Sequence, residues 1–213
     1  MGLRESFERG LAKQLGHPTG RRGALTGMLL NHRNAQLIAN AIDALELTPG
    51  SVAMDIGFGG GTGLGALLER VGPSGAVHGV DVSEAMLARA RRRYAREIDA
   101  GRLALHQTSM SQLPVDDASV DGAITVNTIY FVDDLQRAFA EVAGVLVQGG
   151  RFVIGMADPD AMASMPVTRH GFTVRPTDDV IAALRAAHID LVEHRRSGTG
   201  QRAQHLLVAT PAA

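Results

Sequence analysis

Apolar residues along this chain follow two alternating spacings. Short apolar runs at Val52–Ile56, Ala76–Val80, Arg102–His106, Val120–Val126 and Arg151–Met156 predict strands. Between them, Leu64, Leu67, Leu68 and Val71, and later Leu135, Ala138, Phe139 and Val142, recur at the three-and-four spacing of an amphipathic helix. Ahead of the first strand, Ile38, Ala41, Ile42 and Leu45 form a similar stripe, which Pro49 and Gly50 close, so a helix is expected over 28–46. Strand, helix and strand repeated at this interval predict an α/β fold, a doubly wound sheet with helices on both faces.

The last third departs from that rhythm. Residues 157–176, with Met162, Met165, Pro166, His170 and Phe172, show no period and are expected to form an irregular cap before a helix at Asp178–Ala187. Ile189–Glu193 and Gln204–Ala209, joined through Ser197-Gly198-Thr199-Gly200, predict an antiparallel hairpin added to the sheet edge, giving seven strands. The expected organisation is an N-terminal helical lid over 1–47 and one domain over 48–213 that carries the cap.

With 21 Lys plus Arg against 22 Asp plus Glu, the net charge of −1 supplies no global field for nucleic acid or anionic lipid. The absence of cysteine excludes disulfides, thiolate metal sites and thiol nucleophiles, and no metal is expected. The charged amino end and the lack of any apolar run near the roughly 18 residues of a spanning helix point to a cytoplasmic chain with no membrane partner. A monomer or homodimer is expected.

Candidate chemistry concentrates in Val52-Ala53-Met54-Asp55-Ile56-Gly57-Phe58-Gly59-Gly60-Gly61-Thr62-Gly63, where a carboxylate inside a buried strand is followed by a flexible turn and a helix. Such a backbone lets a ligand approach closely, and the first N–H groups of the helix lack intrahelical partners. Asp81 ends the second strand about twenty residues on, where a carboxylate can accept both hydroxyls of a ribose. Gly61-Thr62-Gly63-Leu64-Gly65-Ala66 also satisfies the GxGxxA pattern of a nicotinamide dehydrogenase. That pattern should open directly from the strand, whereas Gly57 to Gly60 intervene here, and Asp55 would have no role.

DxGxGxG at Asp55, Gly57, Gly59 and Gly61, with Asp81, resembles the class I S-adenosylmethionine-dependent methyltransferases, among them the ubiquinone/menaquinone-biosynthesis type. Leu113-Pro114, Asp116 through Asp121, and Glu141 through Arg151 resemble further motifs of that family. The resemblance implies a Rossmann-like sheet and S-adenosyl-L-methionine as cofactor. It puts Gly57 and Gly59 beside the methionine portion, Asp55 under the loop and the amino group, and Asp81, with Val82 after it, on the ribose. Ser109 stands where many members carry an Asp for the adenine amino group, and Met110 can pack on the ring. Asn127 also falls among the expected cofactor residues.

The expected substrate is a small-molecule acceptor, methylated on O, N or C, with nucleic-acid or protein methylation and a noncatalytic cofactor-binding domain as rivals. Asn127-Thr128-Ile129-Tyr130 lacks the Pro-Pro turn that clamps planar amines. The run Arg89, Arg91, Arg92, Arg93 and Arg96 has no interleaved aromatics and reads as a solvated face. A hydroxyl acceptor would need a base, for which Tyr130 and His170 are the candidates. Counting back along the first helix puts Asn34 and Asn31 on its apolar stripe, so 19–34 is expected to close over the cofactor with Asn31 or Asn34 facing the ligand or acceptor.

Overall fold

The computed structural model describes residues 34–163 and 172–212. A helix, α1, occupies 34–44 of these. It is followed by β1 (Val52–Ile56), α2 (Thr62–Val71), β2 (Ala76–Asp81), α3 (Glu84–Arg93), α4 (Ala95–Asp99), β3 (Leu103–Gln107) and β4 (Val120–Val126). Then come α5 (Leu135–Val145), β5 (Leu146–Ala157), α6 (Pro159–Ala163), α7 (Thr177–Ala186), β6 (Ile189–Ser197) and β7 (Gln204–Pro211).

The seven strands lie in the order β3-β2-β1-β4-β5-β7-β6. The first five are parallel, and β7 runs antiparallel to both of its neighbours. The predicted hairpin is thus present at the edge, with β7 inserted between β5 and β6. Both faces of the sheet are covered. The stripes of α1, α2 and α3 pack on one side with Ala53, Ile124 and Val153, and α5 and α7 pack on the other with Met54, Phe152 and Leu207. Central strands buried on two faces must be apolar throughout, which is why an aspartate inside β1 stands out.

Several boundaries differ from the sequence expectation, β6 running to Ser197 rather than Glu193 among them. The fifth strand begins at Leu146 rather than Arg151, because Leu146 pairs with Val120 before a shift in register and Arg151 resumes the ladder opposite Gly122. The third strand begins at Leu103, and Arg102 instead turns its guanidinium onto the carbonyls of Leu68 (3.0 Å) and Gly72 (2.8 Å), closing the end of α2. Within the expected cap, Pro159–Ala163 is helical, while 164–171 lies outside the described residues.

From β1 the chain steps outward to β2 and β3, then returns to the opposite side of β1 to lay down β4. Connections therefore diverge above the carboxyl ends of β1 and β4, which opens a crevice there. α1 runs back along the sheet. Leu37 lies over Gly155, near the carboxyl end of β5, and Leu45 lies over Gly122, near the start of β4. The amino end of α1 consequently reaches the edge that carries the crevice.

Candidate cofactor site

β1 stops at Ile56 because Gly57 takes a left-handed φ of 78° and turns the chain across the end of β2. Its N–H donates to the carbonyl of Val80 at 2.7 Å. A side chain at Gly57 would be both strained and blocked, since a Cβ there would overlap the Thr128 hydroxyl. Thr125 and Thr128, from the end of β4 and just beyond it, place their hydroxyls 3.0 and 3.4 Å from the carbonyl of Ile56. The turn is thereby held from both neighbouring strands.

Asp81 comes to the same place from β2. Its carboxylate accepts the N–H of Gly59 on one oxygen (2.9 Å) and that of Ser83 on the other (2.8 Å), and it is 7% exposed. Asp55 is 5% exposed, and no hydrogen bond reaches its side chain among the described residues. Burial, with the negative charge of Asp81 as a second cause, pushes its carboxyl up to about 8. A buried carboxyl without a partner is costly to ionise, so a cationic ligand group is the natural complement to Asp55.

The remaining expected residues are spread along this edge. Val82 is 43% exposed directly after Asp81. Gln107 pairs in register with Asp81, which puts Ser109 just past the neighbouring strand end; Ser109 is exposed and Met110 is buried. Asn34 is half-buried at the amino end of α1. Asn31, Met165, His170 and the segment 19–33 lie outside the described residues.

Asn127 adopts a positive φ of 55° after β4, and its side-chain oxygen meets the Ala157 N–H (3.2 Å) and the Tyr130 hydroxyl (3.1 Å). The Tyr130 hydroxyl in turn accepts the Ala157 N–H at 2.7 Å. Tyr130 is buried, and burial drives its phenol well above the ordinary tyrosine range.

Two features had no counterpart in the sequence reading. Tyr94, at the junction of α3 and α4, is buried behind the glycine loop and donates to the carbonyl of Gly61 at 2.7 Å. Asp158, just past β5, receives Arg196 (2.9 Å) and His205 Nε2 (3.1 Å) on one oxygen, while His205 Nδ1 meets His194 Nε2 at 2.7 Å. The other Asp158 oxygen accepts the N–H groups of Asp160 and Ala161 at the start of α6. The Arg196 guanidinium holds the Asp158 carboxyl down at about 2. No period or motif marks either cluster, because each joins residues distant in sequence.

A parallel sheet with a glycine turn after its first strand and an acid ending its second defines a Rossmann-like nucleotide-cofactor domain. A methyltransferase-domain family model matches residues 54–154. The chain is 30% identical over 145 residues to a methyltransferase of Bacillus subtilis, covering 68% of this chain and 77% of that one. It is 40% identical over 141 residues to a 37.1 kDa protein in a transposon of Streptomyces fradiae, covering 61% and 39%. It is 30% identical over 115 residues to a ubiquinone/menaquinone biosynthesis C-methyltransferase of Geobacter sulfurreducens, covering 54% and 45%. Several relatives are thus about twice as long as the part this chain spans. Among solved structures, a chain of a complex between a Haloferax volcanii methyltransferase activator and a methyltransferase superposes with a TM-score of 0.75 at 19% identity, covering 88% of this chain and 94% of that one. The chain belongs to the class I S-adenosylmethionine-dependent methyltransferases.

The residues present fit that cofactor. A Cβ built on Gly59 meets only the Gly57 carbonyl at 4.0 Å, so the loop presents bare backbone at that point. Asp55 is a buried carboxyl that no hydrogen bond reaches among the described residues, and Asp81 ends β2 at the same edge of the sheet.

Proposed function

We propose that the protein transfers the methyl group of S-adenosyl-L-methionine to a small-molecule acceptor. The observation that carries this reading is the convergence of Gly59 and Asp81 above the β1–β4 crevice, with the buried Asp55 carboxyl beneath. Asp81 is read as the ribose acceptor with Val82 beside it. Gly57, Gly59 and Gly61 form the methionine cradle, Asp55 faces the amino group, and Ser109 with Met110 takes the adenine. Asn127 and Asn34 line the mouth. When bound, the cofactor supplies an electrophilic methyl whose displacement disperses a positive charge, so alignment and water exclusion are what the protein must provide.

Tyr130 is read as a brace rather than a base. Its hydroxyl is committed to Ala157 and Asn127, and its raised phenol pKa makes it a poor proton acceptor at neutral pH. Its value is to fix Asn127, whose left-handed backbone brings that side chain back over the end of β5. A base, where the acceptor needs one, is left to the cap over 157–176, including His170. The segment 1–47 is read as a lid whose last residues, Leu37 to Leu47, pack on the sheet. A monomer or homodimer acting in the cytoplasm completes this reading. No helix among the described residues is long and apolar enough to cross a membrane.

The test is methyl-labelled S-adenosylmethionine incubated with fractionated small-metabolite extracts, and in parallel with RNA and protein fractions. Label transferred to a small molecule supports the reading. Label confined to a macromolecule would move the acceptor class, and the activator complex of the Haloferax neighbour makes that arm worth running.

A further inference from the structure

The glycine loop is tied to the segment that follows β2 at two points. In front, Gly59 donates to Asp81. Behind, the Tyr94 hydroxyl donates to the carbonyl of Gly61 at 2.7 Å, and the Gly65 N–H faces the same hydroxyl. Gly61 is the residue from which α2 starts, with φ 80°. Its carbonyl and the Gly65 N–H are the two groups that close the first turn of the helix. The Tyr94 ring lies against both glycines: a Cβ at Gly61 would meet its edge at 3.4 Å, and one at Gly65 would sit 2.9 Å from the hydroxyl oxygen.

The front tie runs through the carboxylate that the function proposed above assigns to the ribose. A ribose hydroxyl accepted by Asp81 competes with Gly59 for the same oxygens, so the front tie weakens when the ligand arrives. The rear tie uses no oxygen of Asp81, so a ribose accepted there leaves it intact. We propose that Tyr94 is a positioning residue for cofactor binding, holding the glycine loop and the start of α2 in register through the Gly61 carbonyl once Asp81 is engaged by the ligand. This rests on the cofactor reading above and adds to it a residue outside the family's glycine and acid motifs.

Tyr94→Phe keeps the ring and removes the strut. The Gly61 carbonyl and Gly65 N–H still have each other, so the fold should be spared while the loop loses its registration. Calorimetric titration of S-adenosylhomocysteine into the full chain should show Tyr94→Phe weakening affinity on the order of ten-fold, with an unchanged melting temperature in the absence of cofactor. Gly65→Ala, which crowds the hydroxyl away, should weaken affinity similarly. The double variant should be no worse than either single one, because both remove the same contact.

Unchanged affinity in Tyr94→Phe beside a wild type that binds would overturn the strut. So would a lowered melting temperature with affinity intact, or losses that add fully in the double variant. A wild type that binds no S-adenosylhomocysteine would instead overturn the cofactor reading on which the proposal rests.

Discussion

The carboxylate of Asp55, inside β1, packs directly against Gly63 on the first turn of α2, so closely that a Cβ at Gly63 would overlap its Oδ2 atom. The requirement for glycine there is steric: the helix must start on top of a buried acid. Gly63→Ala would push either Asp55 or α2 aside at a fully packed position, with an overpacking cost of about 1–3 kcal/mol. The expected outcome is a lowered melting temperature together with weakened binding of S-adenosylhomocysteine, and Asp55→Gly added to Gly63→Ala should relieve the first effect but not the second.

The ribose role proposed for Asp81 is tested by its removal. Loss of charge-assisted hydrogen bonds worth roughly 1.5–3 kcal/mol should weaken cofactor binding on the order of ten- to hundred-fold in Asp81→Ala. Calorimetry on a folded variant is the check, and unchanged affinity would remove the residue from the site.

Asp55 makes stability depend on pH in a definite direction. Its ordinary value is 3.8 and the fold raises it to about 8. The folded chain therefore holds a proton that the unfolded chain has given up over this interval, and the stability linked to that proton falls as pH rises from about 4 through about 8. Melting temperatures measured across this range should decline with a slope that Asp55→Asn removes. Because the ligand's ammonium favours the ionised form, cofactor binding near neutral pH should release a proton, read as a dependence of the binding heat on the ionisation enthalpy of the buffer.

Much of this site was legible in the chain, and the reason is local. Asp55 lies within a strand, Asp81 ends one and the glycine turn follows one, each strand's apolar run being itself a signal, and parallel strands bring their carboxyl ends together without further information. Tyr94 was not legible because its partners, Gly61 and Gly65, lie about thirty residues away on another helix, and a tyrosine after an arginine run has no period to betray it. The start of β5 was missed because the polar turn at Gln148, Gly149 and Gly150 looks like an end, whereas the ladder spans it through a register shift. Asp158 and His205 meet only when β7 folds back beside β5.

Tyr130 separates a brace from a base. Tyr130→Phe removes the hydroxyl from Ala157 and Asn127 but leaves the ring against Phe131 and Phe172. Turnover should fall by no more than several-fold, with its pH profile unaltered, whereas loss of a general base costs roughly 10²–10⁴-fold. A decrease of the second size, with cofactor affinity retained, would make the phenol a catalytic residue.

Calorimetric titration of the purified chain with S-adenosylhomocysteine, and separately with NAD, tests the identity of the cofactor most directly. The arrangement of Asp55, the turn at Gly57 to Gly61 and Asp81 predicts one saturable site for S-adenosylhomocysteine, weakened by Asp81→Ala, and no heat with NAD. Saturable binding of NAD by a chain silent towards S-adenosylhomocysteine would contradict it.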